Sequence, residues 1–126
     1  MTRYQLSDPA KADIAAILKR SAELNGLQAR VRYRALLTAA MRRVAGDPEA
    51  SLTADLTGLL SGIRSFHIHH SRKESREGRV ARPAHVLFYR PFSPGRVEVV
   101  RILHERMDPR MHLGAEDSSR LGLDAE

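Results

Sequence analysis

A β-hairpin signature between residues 84 and 103 constrains the fold more than any other feature of the chain. The segments AHVLFYRPF and RVEVVRIL are rich in β-branched and aromatic residues, and they flank the turn Ser93-Pro94-Gly95. Proline followed by glycine is typical of a type II turn, because glycine accepts the positive φ of the third turn position. The second segment is apolar on both faces, which indicates a central strand. The second half of the chain therefore contains a sheet.

The first half has helical periodicity instead. Asp8 is predicted as an N-cap and Pro9 as the first helical residue. Gly26 ends this helix, and a second helix is predicted from Leu27 to about Ala45. Two helices with one or two residues between them form an antiparallel hairpin. The apolar stripe of the second helix comprises Tyr33, Leu37, Ala40, Met41 and Val44.

The order of these elements predicts the fold class. Residues 3–6 and 63–70 alternate like strands, which gives the order β-α-α-β-β-β. We predict an α+β fold in which the helix hairpin covers one face of an antiparallel sheet, while the other face is solvated or used for binding. One domain is expected over residues 1–113. Within it, residues 71–83 are predicted to form an exposed basic loop, and residues 114–126 a disordered acidic tail.

Composition excludes several classes of protein. The absence of cysteine rules out disulfides and thiol catalysis. No run of about 18 apolar residues exists, and the N-terminus has no apolar signal core, so a cytoplasmic protein without a membrane partner is expected.

The positive charge is unevenly distributed. The net charge is +6, and residues 64–113 carry 11 basic but only five acidic side chains. The second helix has no acidic residue, which fits either a solvated polar face or an acidic partner. Its arginines are Arg30, Arg32, Arg34, Arg42 and Arg43.

The polar residues of the second half are compatible with two kinds of chemistry, metal binding and RNA cleavage. His67 and His69 have a spacing that can chelate a metal, but no third ligand follows at a firm spacing, so no metal or cofactor is expected. Metal-independent RNA cleavage needs a base, an acid and a cation beside the phosphate. The residue types are supplied by Arg64, Tyr89, Arg101 and His104, although strict strand alternation places the last two on opposite faces.

The same alternation makes a prediction about the last strand. Val100 and Ile102 are assigned to the face under the helices, which places Arg101 on the open face. Arg64 and Arg90 are expected to join Arg101 there in a cationic patch.

Four stretches resemble the ParE branch of the RelE/ParE superfamily of toxins. They are LSDPAKADIAAIL (6–18), GIRSFHI (62–68), HVLFYR (85–90) and VEVVRILHERMDPRMHL (97–113). The resemblance covers residues 4–113 and implies the same strand and helix order. The basic loop at residues 71–83 departs from it, since such chains join these two strands by a short turn.

The resemblance implies a toxin of a type II toxin–antitoxin module that a ParD-like antitoxin neutralises. The ParE-type ending and the scarcity of lysine favour inhibition of DNA gyrase by protein–protein binding, without catalytic residues. The alternative is a RelE-like endoribonuclease that cleaves mRNA on the ribosome with Arg64, Tyr89, Arg101 and His104. The residues expected to bind the target or the antitoxin are Arg64, Arg90, Arg101, His104, Arg106, Arg30 and Arg34.

Overall fold

The computed structural model describes residues 3–113, so the predicted acidic tail at 114–126 lies outside the described part. The elements are β1 (Arg3–Leu6), α1 (Asp8–Asn25), α2 (Leu27–Gly46), β2 (Ala54–Asp55), β3 (Arg64–His67), a 3₁₀ helix (Ile68–Ser71), β4 (His85–Ser93) and β5 (Arg96–His104). The α+β class and the order of the main elements are confirmed. The two-residue strand β2 was not predicted.

The sheet has the strand order β1-β5-β4-β3-β2, with β5 in the middle region as expected for a strand that is apolar on both faces. The predicted hairpin is confirmed: β4 and β5 pair antiparallel, and Gly95 has a φ of +74°, as a type II turn requires. The sheet is mostly antiparallel, as predicted, with one parallel pair at its edge. There β1 pairs with β5 in parallel, with Arg3 opposite Arg96.

The helix hairpin covers one face of the sheet. Gly26, with a φ of +90°, separates the two helices. The N-cap of α1 is Ser7 rather than the predicted Asp8: its Oγ accepts a hydrogen bond from Ala10 N at 3.1 Å and donates one to Val100 O at 2.7 Å. All five residues of the predicted α2 stripe are buried, and they share a core cluster with Phe66, Leu87, Tyr89, Val97 and Val99 from the sheet.

The opposite sheet face is not free, contrary to the prediction. Phe88, Val100 and Leu103 are buried there in a second cluster with Ile63 and Leu113. Three leucines of the connector between β2 and β3 pack against this cluster: Leu56, Leu59 and Leu60. The apolar side chains of that connector explain why this half of the face is covered.

A β-bulge in β5 overturns the predicted alternation. Tyr89 lies opposite Val99 and Phe88 lies opposite Arg101, so Val100 is an extra residue in its strand. Val99 and Ile102 join the cluster under the helices, whereas Val100 joins the second cluster. The expectation that Val100 and Ile102 share one face was therefore wrong.

The basic loop after the 3₁₀ helix is mostly exposed, as predicted, but it is attached to α2. Arg43 Nη1 donates to His70 O at 2.9 Å and lies 3.5 Å from Glu74 Oε2. Val80 packs against the core cluster, although its charged and polar neighbours in the loop indicated an exposed segment. No helix within residues 3–113 is long and apolar enough to cross a membrane.

Candidate functional site

Arg101 lies in an ion pair with α1 rather than in an open cationic patch. Its Nε and Nη2 donate to Asp13 Oδ2 and Oδ1 at 2.8 and 2.9 Å, and Asp13 Oδ2 also accepts from Ile102 N at 2.9 Å. Pairing between β1 and β5 ends at Leu6 and Val99, so the outer edge of β5 needs another acceptor beyond that point. Asp13 supplies it. Arg101 is therefore held in an ion pair and does not form the predicted cationic patch. Asp13 was missed because nothing in the sequence links it to a strand 88 residues later.

Arg64 and Tyr89 hold the chain after α2 against the sheet. Arg64 Nε donates to Pro48 O at 3.0 Å, and Nη2 donates to Thr53 Oγ1 at 2.7 Å. The Tyr89 hydroxyl also donates to Pro48 O. The Tyr89 side chain has no exposed surface, and burial raises its pKa above the usual value. Both residues are therefore parts of the internal hydrogen-bond network.

Arg90 does not join Arg64 either. Its Nε lies 3.8 Å from Glu98 Oε1, its partner across the β4–β5 pair. Arg64 and buried Tyr89 both contact Pro48, on the same face of the sheet. Arg90 follows Tyr89 in β4, so strand alternation directs its side chain to the opposite face. The three arginines of the predicted patch are thus held at three separate places.

A histidine cluster lies at the other end of the strands and consists of His67, His69, His70, His85 and His104. The β4–β5 register sets His85 opposite His104, with the rings 5.4 Å apart. His67 and His69 follow at the end of β3, and their rings are 4.7 Å apart. The sequence showed these histidines in one half of the chain, but only strand pairing brings them together.

The contacts of the cluster define its electrostatics. The Tyr33 hydroxyl accepts from Ala84 N and lies 2.6 Å from His85 Nδ1, and burial raises the pKa of Tyr33. Burial, followed by repulsion from His104 and His67, lowers the pKa of His85 to about 4. His85 is therefore neutral at pH 7.

His67 is also engaged on both ring nitrogens. Its Nε2 lies 2.7 Å from Glu105 Oε1, and its Nδ1 accepts from His69 N at 3.1 Å. The hydrogen bond from His67 lowers the pKa of Glu105. No group of three or more side chains suited to hold a metal occurs within residues 3–113.

The strand end and α2 carry the remaining predicted binding residues. His104 Nδ1 accepts from Arg106 N at 3.1 Å, and the Arg106 side chain is exposed. On α2, Arg30 and Arg34 are exposed.

Apolar side chains accompany these arginines on α2: Leu27 is 69% and Val31 44% exposed. A groove of about 710 Å³, here called the α2 groove, runs between α2 and the basic loop. It is lined by Val31, Arg34, Ala35, Thr38, Ala39, Arg42, Arg43, Glu74, Arg76 and Glu77.

Comparison with known proteins identifies the family. Residues 4–109 match the family described as the ParE toxin of the type II toxin–antitoxin system parDE. The chain is similar to Toxin ParE1 of Caulobacter vibrioides, with 33% identity over 119 residues that cover 90% of this chain and all of that protein. The resemblance inferred from the four sequence stretches is confirmed. This chain belongs to the ParE family of toxins of type II toxin–antitoxin systems.

Proposed function

We propose that this toxin acts in the cytoplasm by binding DNA gyrase and inhibiting it, and that a ParD-like antitoxin neutralises it. The observation that carries the proposal is the engagement of the candidate nuclease residues in internal contacts. Arg101 is held by Asp13, and Arg64 and Tyr89 are held by Pro48. A protein–protein inhibitor needs a surface rather than a set of free acid–base groups.

A ribonuclease needs acid–base groups that can exchange protons and that the RNA can reach. Metal-independent cleavage of RNA requires an acid and a base within about 3 Å of the atoms that exchange protons. The Tyr89 hydroxyl is buried and donates its hydrogen bond to Pro48 O. The Arg101 side chain is only 17% exposed. His104 is half-buried, and its Nδ1 accepts a hydrogen bond from Arg106 N. The arrangement favours a binder over the alternative ribosome-dependent endoribonuclease.

We expect purified toxin to inhibit supercoiling by purified gyrase in the absence of ribosomes. Induction in cells should produce DNA breaks and a DNA-damage response. His104→Gln serves as the test variant, because a binder loses one contact of many and should retain most of its toxicity.

A ribonuclease behaves differently in the same assays. Loss of a general acid or base lowers cleavage about 10²- to 10⁴-fold, so His104→Gln would abolish toxicity. Codon-dependent mRNA cleavage with intact DNA after induction would favour the endoribonuclease and overturn the gyrase proposal.

The family implies an antitoxin partner, and the α2 groove is the surface that we assign to it. Val31 in the groove and exposed Leu27 one turn before it supply apolar contact area. Four arginines outnumber two glutamates in the lining, so the groove is positively charged: Arg34, Arg42, Arg43 and Arg76 against Glu74 and Glu77. An amphipathic helix with acidic residues beside its apolar face fits this combination. Tyr33 and Leu36 of the same helix are buried in the core, so they do not supply apolar contact area to a partner.

We expect Arg34→Glu to weaken antitoxin binding roughly 10- to 100-fold, since a like charge then faces the acidic helix. Arg20→Glu is the matched control, because Arg20 is an exposed arginine on α1 that does not line the groove. Titration of each variant with the antitoxin encoded beside the toxin measures the effect. Equal losses in both variants would show that net charge, rather than this groove, governs binding.

A further inference from the structure

A second cavity lies where β1, α2 and the β4–β5 turn meet, and it shares only Arg42 with the antitoxin surface proposed above. Its volume is about 320 Å³. Three arginines line it: Arg3 from β1, Arg42 from α2 and Arg96 from β5. Parallel pairing sets Arg3 opposite Arg96, so these two side chains begin on adjacent strands.

The charge of this cavity, here called the arginine pocket, selects an anion. None of its seven lining residues in the described chain is Asp or Glu. Arginine remains protonated at any physiological pH, so the pocket gathers three positive charges. The planar guanidinium also matches two oxygens of a phosphate at once, which makes an arginine cluster a typical phosphate site.

Two aromatic side chains make the pocket more specific than a charged patch. Phe92 is 48% exposed, although it is a large apolar residue, and Tyr4 is half-buried beside it. An exposed aromatic ring next to arginines is the combination that proteins use to stack a base and hold its phosphate. A carboxylate from an acidic peptide would use the arginines but would leave Phe92 without a stacking partner.

The size of the pocket limits the ligand. Small-molecule sites range from about 300 to 1,000 Å³, and this pocket lies at the lower end. It suits one nucleotide, whereas the α2 groove has more than twice its volume. We propose that the arginine pocket binds a single nucleotide unit, with the phosphate held by Arg3, Arg42 and Arg96 and the base stacked on Phe92. The unit is either a free mononucleotide or part of a nucleic acid strand.

The test is calorimetric titration of the full-length toxin with AMP, with inorganic phosphate and with a 12-nucleotide single strand of deoxythymidine. We expect AMP to bind, and Arg96→Gln to weaken this binding at least about tenfold through loss of a charged contact. Phe92→Ala should weaken AMP binding roughly 5- to 100-fold while phosphate binding stays unchanged. Arg79→Gln, the same change in the exposed basic loop, is the matched control.

The two sources of the nucleotide give different results. Tighter binding of the oligonucleotide than of AMP identifies a nucleic acid strand, and the reverse identifies a free nucleotide. The proposal is overturned if AMP does not bind at millimolar concentration. It is also overturned if phosphate binds as tightly as AMP, or if Phe92→Ala has no effect, because the pocket is then a general anion site. Arg96 and Phe92 are exposed and do not line the α2 groove, so their variants leave the core and the antitoxin surface intact.

Discussion

Asp13→Ala will lower the free energy of unfolding by about 2–4 kcal/mol, because it leaves a largely buried guanidinium without its carboxylate. The side chains of Arg101 and Asp13 are only 17% and 14% exposed. The substitution also removes the acceptor for Ile102 N at the edge of β5. Equilibrium unfolding in urea measures the change.

Asp8→Ala is the matched control for this variant. Asp8 is almost fully exposed and lies 3.9 Å from Lys11 Nζ in the first turn of α1, where we expect a loss below about 1 kcal/mol. Arg101→Gln extends the test to function: it should lower the melting temperature while the protein that remains folded stays toxic. If Arg101→Gln is stable but not toxic, the prediction is wrong and Arg101 belongs to the binding surface.

The folded chain will lose stability as the pH falls from about 6.5 to about 4. The pKa of His85 is lowered from 6.5 to about 4, so the unfolded chain takes up its proton first and is favoured by acid. The stability that neutral His85 contributes to the folded chain is fully present above pH 6.5 and is lost by pH 4. It amounts to about 1–3 kcal/mol, since His85 is partly exposed and solvent screens the repulsion.

The other titratable groups around His85 determine the pH range over which unfolding should be measured. Burial also lowers the pKa values of His69 and His70, which adds to the effect in the same direction. Glu105 opposes it, because its charge favours protonated His85, and its own lowered pKa affects stability only below about pH 4.5. Unfolding measured between pH 7 and pH 5 therefore reports on the histidines.

His85→Gln should reduce the slope of stability against pH, since glutamine does not titrate and its side-chain oxygen can accept from Tyr33 in place of Nδ1. His112→Gln removes a histidine outside the cluster and should leave the slope intact. An unchanged slope in the His85 variant would assign the pH dependence to other residues.

The candidate site was predicted unevenly from the sequence. Exposure of Arg30 and Arg34 followed from helical periodicity. The roles of these residues in binding stay predictions. The patch of Arg64, Arg90 and Arg101 was wrong, because each side chain has a partner far away in sequence that no local pattern indicates.

The sequence by itself determined the elements and the family. Helical stripes, the Pro94-Gly95 turn and the apolar run of β5 depend on neighbouring residues, so their physical causes are visible in the chain. The family followed from short motifs spread over most of the domain, and the match over residues 4–109 confirmed it.

Only the tertiary structure decided which face each side chain of β5 takes and which charges meet. One extra residue at Val100 reverses the alternation, and a bulge has no signature among apolar neighbours. The ion pair between Asp13 and Arg101, the histidine cluster and the arginine pocket all join segments that are distant in the chain. Such contacts depend on strand register and helix packing, which minimise buried unpaired polar groups over the whole molecule rather than within any one segment.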